Sequence, residues 1–151
     1  MLLASRRAEG ARETPERARI TPEGGMPGDA WSRRPSRDPD GQRAVMRCEV
    51  AALIANGPPW TLFGDNLFVD FDLSAANLPA GTRLRVGPSL VMVTPKPHDG
   101  GRKFASRFGN GALRFVSAKA TRDQNLRGIY WRVIETGEVC LGDAIRVVSR
   151  P

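Results

Sequence analysis

The stretch "NLFVDFDLSAANLPAGTRLRVGPSLVMVT", residues 66–94, decides the fold. Leu67, Val69, Phe71 and Leu73 alternate with Phe68, Asp70 and Asp72, the period of a strand with one wet face. "TRLRV" and "LVMVT" repeat the strand signature on either side of the turn Gly87-Pro88. Downstream, "GIYWRVIE" sets Ile129, Trp131 and Val133 opposite Tyr130, Arg132 and Ile134, and "DAIRVVS" follows the turn Gly142-Asp143. Upstream, in "AVMRCEVAALIANG", Met46, Val50, Leu53 and Ile54 fall on one helical stripe that Asn56-Gly57 would stop. "GRKFASRFG" and "GALRFV" read as short helices, with Phe104 and Phe108 one turn apart. Short strands separated by Gly, Pro and Asp turns, with a few helices between them, predict a mainly β chain with short helices, a small barrel or sandwich.

The 151 residues suffice for one domain with a real core and are too few for two ordinary ones. Residues 1–18 mix both charge signs with almost no apolar periodicity and are expected to be a disordered extension. Residues 19–151 are then a single domain, opening with the loop-forming stretch "TPEGGMPGDAWSRRPSRDPDGQ", in which Trp31 is the expected anchor. "PGDAW", "FGDNL" and "LGDAI" share Gly-Asp at irregular spacing, which is turn chemistry rather than a repeat. No apolar run approaches a membrane span, and the start lacks the pattern of a secretory signal, so no membrane partner and a cytoplasmic location are expected. Cys48 and Cys140 form no Cys-x-x-Cys pair, and His98 is the one histidine, so no all-His/Cys zinc site can be completed and no metal ligands are assigned. The two cysteines read as small buried hydrophobes.

Charge is unevenly placed. The chain carries a net +7, yet residues 1–43 hold nine Arg against seven acids, while residues 96–132 hold nine cations against Asp99 and Asp123. A localised anionic partner follows from that excess, against the alternative of a solvated basic face. The segment "PKPHDGGRKFASRFGNGALRFV", residues 95–116, concentrates the signal. Gly100 and Gly101 can adopt positive φ, and their N–H groups at a helix start could form a nest for an anion. Arg102 and Lys103 stand in the first turn, where a helix prefers acids, and such a local conflict points to function. The competing reading has Asp99 capping the helix while the basic side chains face water. His98 joins the candidates because it adjoins the same turn.

Three stretches, "FGDNLFVDFDLSAANLPAGTRLRVG", "PHDGGRKFASRFGNGALRFV" and "LRGIYWRVIETGEVCLGDAIRV", together resemble the MOSC family, named for the C-terminal domain of molybdenum-cofactor sulfurases. The likeness spans about residues 24–148 and includes many bacterial proteins made of that domain alone. Gly64-Asp65-Asn66-Leu67 resembles the family's Gly-Asp/Glu-Asn-Leu segment, Arg127-Gly128-x-Tyr130 its Arg-Gly-x-Tyr stretch, and Gly142-Asp143 its closing turn. The resemblance implies a β-barrel-like fold and involvement with the molybdenum cofactor, molybdenum ion or pyridoxal phosphate, and with sulfur transfer. The chain departs from the pattern at Gly101, where relatives carry a cysteine. A thiol there would be acidified by the helix end and the basic pair and could carry a persulfide; glycine cannot.

The expected role is therefore an oxyanion-bearing cofactor held by His98, Gly100, Gly101, Arg102 and Lys103, with Arg127 and Tyr130 on the opposite wall. Catalytic residues are not assigned, and any reaction would belong mainly to the bound cofactor. Asp65 and Asn66 are expected to brace turns. Pyridoxal phosphate is the second ligand, disfavoured because none of Lys96, Lys103 and Lys119 stands out as a Schiff-base lysine. Two other classes stay open: a catalytically silent scaffold, and a basic nucleic-acid-binding barrel. The helical spacing of Phe104, Phe108 and Phe115 argues against the latter, since it suits core packing better than base stacking.

Overall fold

Two adjacent strands, β7 (Arg83–Val86) and β8 (Ser89–Val93), form the hairpin that the alternation around Gly87-Pro88 predicts. A two-residue hairpin turn needs positive φ at its first central residue, and Gly87 supplies +55°. The computed structural model describes residues 12–151 and, for the backbone alone, the strands β1 (Leu2–Leu3) and β2 (Ser5–Arg6). In chain order there follow β3 (Arg12–Glu13), β4 (Arg17–Ile20), β5 (Arg43–Arg47), helix α1 (Cys48–Ala55) and β6 (Leu67–Val69). After the hairpin come α2 (Arg102–Phe108), α3 (Asn110–Val116), β9 (Ile129–Glu135), β10 (Gly137–Cys140) and β11 (Ile145–Ser149).

Seven strands form one mixed sheet in the order β1-β6-β5-β9-β8-β7-β11, open at both ends and curled into a half-barrel. The β5–β6 pair is parallel and its neighbours are antiparallel. β4 pairs with β10, and β2 with β3, as separate two-stranded ribbons. The fold is thus mainly β with short helices, as the strand count predicts, but the barrel does not close. Among the described residues no helix is long and apolar enough to cross a membrane. The disordered extension expected for residues 1–18 lies in part outside the described residues; at its end, Arg17–Ala18 are already paired in β4.

Two cores lie on opposite faces of the sheet. Val45, Leu67, Val69, Val91, Ile129 and Trp131 belong to the larger one. Met46, Phe68, Val50, Ala51, Phe63 and Phe104 form the second, beneath the helices. Neighbouring residues of β5 and β6 therefore point alternately into two apolar layers, which is why both strands read as continuous apolar runs.

This double burial corrects two expectations. Phe68 is not on a wet face: it is fully buried against Trp60 and Phe63, with ring centroids 5.5 and 6.0 Å away. Its burial contributes about 1.5–3 kcal/mol. Met46 is not on a helix either: it pairs with Phe68 across β5–β6, and α1 begins only at Cys48. Pairing on both edges of β5 outweighs the helical spacing of its apolar residues. Leu53, expected in the buried stripe, is 68% exposed, and the helix buries Val50, Ala51 and Ala55 instead. Asn56 ends it in the left-handed region at φ 40°, as predicted.

Candidate functional site

The site grows from the segment Trp60–Asn66. Trp60–Phe63 is a single 3-10 turn, and Gly64 closes it at φ 78°, in the left-handed region that glycine adopts without strain. Asn66 then ties the chain to β5 twice: its N–H donates to the Ala44 carbonyl (2.8 Å), and its Oδ1 accepts from the Ala44 N–H (3.1 Å). Between these anchors Asp65 is pushed inward, and its side chain is fully buried.

Arg127 meets it there. Its Nη1 donates to Asp65 Oδ1 at 2.8 Å and its Nη2 to the Phe63 carbonyl at 3.1 Å, while the guanidinium lies 5.2 Å from the centre of the Phe104 ring. A buried carboxylate is tolerable only with such a partner. His98 Nδ1 stands 3.8 Å from Asp65 Oδ2, and its imidazole is 6% exposed and packs on Tyr130 with centroids 4.4 Å apart. Gly128 makes the close approach possible. Its φ is +109°, and a Cβ on it would sit 2.2 Å from the Val45 carbonyl oxygen and 3.1 Å from His98 Nδ1. The motifs Gly-Asp-Asn-Leu and Arg-Gly-x-Tyr thus interlock through one buried ion pair. Asp65 is its acid, a larger role than the turn brace expected of it.

A cleft of about 470 Å³ opens over this scaffold. Six cationic side chains line it: Arg12, Arg33, Arg34, Lys103, Arg107 and Arg127. Asp99 is the one acid among the lining residues, which also include His98, Gly101, Phe104 and Tyr130. A smaller hollow continues past Tyr130 and Arg34 to Trp31 and Lys96. Lys96 is held there by Asp38 (2.7 Å), which raises its pKa, and its Nζ is 5.9 Å from the Tyr130 ring centre. On the far side of His98 lies a second cavity of about 470 Å³, bordered by Pro97, Arg122 and Asn125.

Of the residues singled out in the sequence, His98, Gly101, Lys103, Arg127 and Tyr130 come together at the cleft. Gly100 and Arg102 do not line it. Gly100 backs onto α3, where a Cβ would meet Leu113 Cδ1 at 2.8 Å. Arg102 is exposed in the first turn of α2. Neither Gly100 nor Gly101 uses positive φ: Gly101 is an extended N-cap residue at φ −118°. Asp99 does not cap α2, which has no side-chain cap. Arg12, Arg33 and Arg34 were missed. For Arg33 and Arg34 the cue was "WSRRPSR", a basic run next to the anchor Trp31, hidden by the near-balance of charge over residues 1–43; Arg12 had none.

The cysteines sit elsewhere. Cys48 opens α1, Cys140 ends β10, both are free and half-buried, and neither lines the cleft. Burial pushes the Cys48 thiol up from its ordinary value. At Gly101, by contrast, a Cβ would meet nothing within 4 Å.

The MOSC domain family model matches residues 44–146, which begin at β5 and reach into β11. No curated protein matches the chain. Among solved structures the chain is similar to a hypothetical protein with TM-score 0.68 and 22% identity, over 99% of this chain and 66% of that one. It spans about two thirds of that protein's length. It is also similar to YuaD from Bacillus subtilis (TM-score 0.65, 19% identity, covering all of this chain and 98% of that one) and to YiiM from Escherichia coli (0.61, 20%, 99% and 70%). At these identities the structures show a shared fold alone. The family match spans more than half of the chain and contains the two interlocking motifs: the chain belongs to the MOSC domain family.

Proposed function

We propose that the cleft binds an oxyanion-bearing small molecule, with the phosphate of a molybdenum cofactor as the leading ligand. One observation carries the reading: Arg34, Lys103 and Arg107 line a concave site and have no acidic partner among the described residues. Cations gathered in a cleft with only Asp99 among them leave a surplus of positive charge that an anionic ligand would neutralise. Arg127 contributes less charge, because Asp65 compensates it, and acts as scaffold.

The residues present fit the anionic part of such a ligand. They do not fit a bare metal cation: among the described residues no three His, Cys, Asp or Glu side chains could hold one. Molybdenum would enter as an oxyanion or on the cofactor's own ligands. When bound, the cofactor supplies the redox or sulfur chemistry, and this chain binds and orients it through N–H donors. A sulfur-carrier role lacks its thiol, since Gly101 lines the cleft and neither cysteine does. Pyridoxal phosphate is a poorer fit. A Schiff-base amine has to be neutral, and the bond from Asp38 pushes Lys96 the other way.

The aromatic residues weigh against the nucleic-acid reading. Phe104 is buried, and Phe108 is half-buried with one face stacked on Phe63, centroids 4.2 Å apart, which leaves Phe115 as the one largely exposed ring of the three. Calorimetric titration with inorganic phosphate, molybdate and a pterin phosphate, against a duplex oligonucleotide, tests the proposal. Saturable one-to-one binding of an oxyanion, weakened at least about ten-fold in an Arg34→Ala/Lys103→Ala/Arg107→Ala variant, is expected. Tight oligonucleotide binding with none of the small anions would overturn it.

A further inference from the structure

A second concentration of positive charge lies on the sheet itself, away from the cleft. In β7, β8 and β11 the residues Leu84, Val86 and Val91 belong to the larger core, with Ile145 and Val147 packed against it. Directly paired residues share a face, so their neighbours along each strand form the opposite face. One rung of that face holds Arg146, Arg85, Leu90 and Glu135, and the next holds Arg83, Met92 and Arg132. The second core takes only Met46 and Phe68 from the described strands, at β5 and β6, so the helices do not reach these rungs. Glu135 is the one acid there and binds Arg85 at 2.6 Å. Arg83, Arg132 and Arg146 have no acidic partner among the described residues, and none of the four arginines lines the cleft.

This basic face ends at an open edge. β11 has β7 on one side and, among the described residues, no strand on the other. Such an edge offers backbone N–H and C=O groups that a further strand can pair with. Arg146 is exposed, and Ile145 and Val147 stay half-exposed although they face the core. We infer that β11 is a docking edge for an extended acidic segment of a partner protein, in which Asp or Glu alternates with Val, Ile or Leu. The inference stands apart from the cleft and does not depend on its ligand. Added as a strand, the segment would turn its acids toward Arg146 and its apolar residues over Ile145 and Val147. Glu135 already shows the reach: from two strands away, about 10 Å, its carboxylate meets Arg85. An acid on the added strand stands at the same remove from Arg85 and Arg83 on the other side. A second copy of this chain is a poor occupant. The bulge at Val148 interrupts regular pairing, and edge-to-edge association would join one basic face to another. Nucleic acid fits less well, since it gains nothing from the backbone edge and the two rungs hold no aromatic ring for base stacking.

The experiment is fluorescence anisotropy of the full chain with a labelled, end-capped peptide of four Val-Glu repeats at physiological ionic strength. A peptide of the same composition, with its valines and glutamates in two blocks, tests the alternation, and a single-stranded oligonucleotide tests the other class of polyanion. One-to-one binding of the alternating peptide, at least about ten-fold tighter than the block peptide, is expected. Hydrogen exchange should slow on binding at residues 145–149. Arg146→Glu should weaken binding at least about ten-fold at an unchanged melting temperature. Arg114→Glu, the same charge change at an exposed position of α3, should cost less than about three-fold. Equal binding of both peptides, or no added protection at β11, would mean that charge alone acts and would overturn strand addition. Equal losses in the two variants would overturn the placement at this edge. An oligonucleotide that binds more tightly and displaces the peptide would overturn the partner class, and failure to bind either peptide would overturn the inference as a whole.

Discussion

Replacing Asp65 with Asn leaves a side chain of the same shape and removes the charge that holds the site together. The Asp65 carboxylate is fully buried, and the Arg127 side chain beside it is only 10% exposed, with 2.8 Å between Nη1 and Oδ1. Breaking a buried pair by neutralising one partner leaves the other charge uncompensated, at a cost of about 3–5 kcal/mol. Asn keeps an acceptor for Nη1, which places Asp65→Asn at about 3 kcal/mol, the low end of that range. Against a total stability of about 5–15 kcal/mol, and with a urea slope of about 2 kcal/mol per molar, the midpoint should fall by about 1.5 M. Arg127→Met should cost about as much, because it takes the permanent positive charge away from the buried carboxylate. The double variant should cost little more than either single one, for a coupling of about 2–3 kcal/mol. The assay is a double-mutant cycle in urea, followed by far-UV circular dichroism. Two singles that each cost under about 1 kcal/mol and add independently would refute the view that this pair braces the motifs.

Three further outcomes follow from the same geometry. Gly128→Ala puts a methyl 2.2 Å from the Val45 carbonyl oxygen at φ +109°, so thermal melting should show a loss of more than about 2 kcal/mol, whereas Gly101→Ala should stay within about 0.5 kcal/mol. Gly101→Cys should fold normally and give a thiol below the free value of about 8.5, because it joins a cleft rich in cations; a pH-rate profile of iodoacetamide labelling reads this, and an ordinary pKa would contradict it. Cys48 should behave in the opposite way. Its pKa is raised by burial, so its labelling at pH 8 should be slower than that of a free thiol and become normal in urea, and equal rates in both conditions would count against the burial.

Most of the sheet was legible from the alternation of apolar residues, because β7 and β9 keep one buried face, and a period of two survives single-face burial. β5 defeated the same reasoning, and β6 was read as a strand but given a wet face it does not have. Met46 and Phe68 lie in one core while Val45 and Leu67 lie in the other, and a run buried on both sides carries no periodicity to separate strand from helix. The site was legible in half. His98, Gly101, Lys103, Arg127 and Tyr130 sit near one another in or after the motifs that drew attention to them. Arg12 reaches the same cleft from β3, and Arg33 and Arg34 from the irregular segment after β4, and the short basic run that holds the last two does not say which distant part of the chain it will meet. Gly100 and Arg102 were chosen for a helix-start nest that does not form, since Gly100 packs on Leu113 and Arg102 is exposed and does not line the cleft.

The most direct test of the anion-binding cleft is native mass spectrometry of the purified protein, offered equimolar pterin phosphate and molybdate in separate samples. One equivalent of an oxyanion ligand retained on the native chain, and lost when Arg34, Lys103 and Arg107 are all alanine, is the predicted result. A chain that stays bare with both ligands, or that retains them equally without those three cations, would contradict the account.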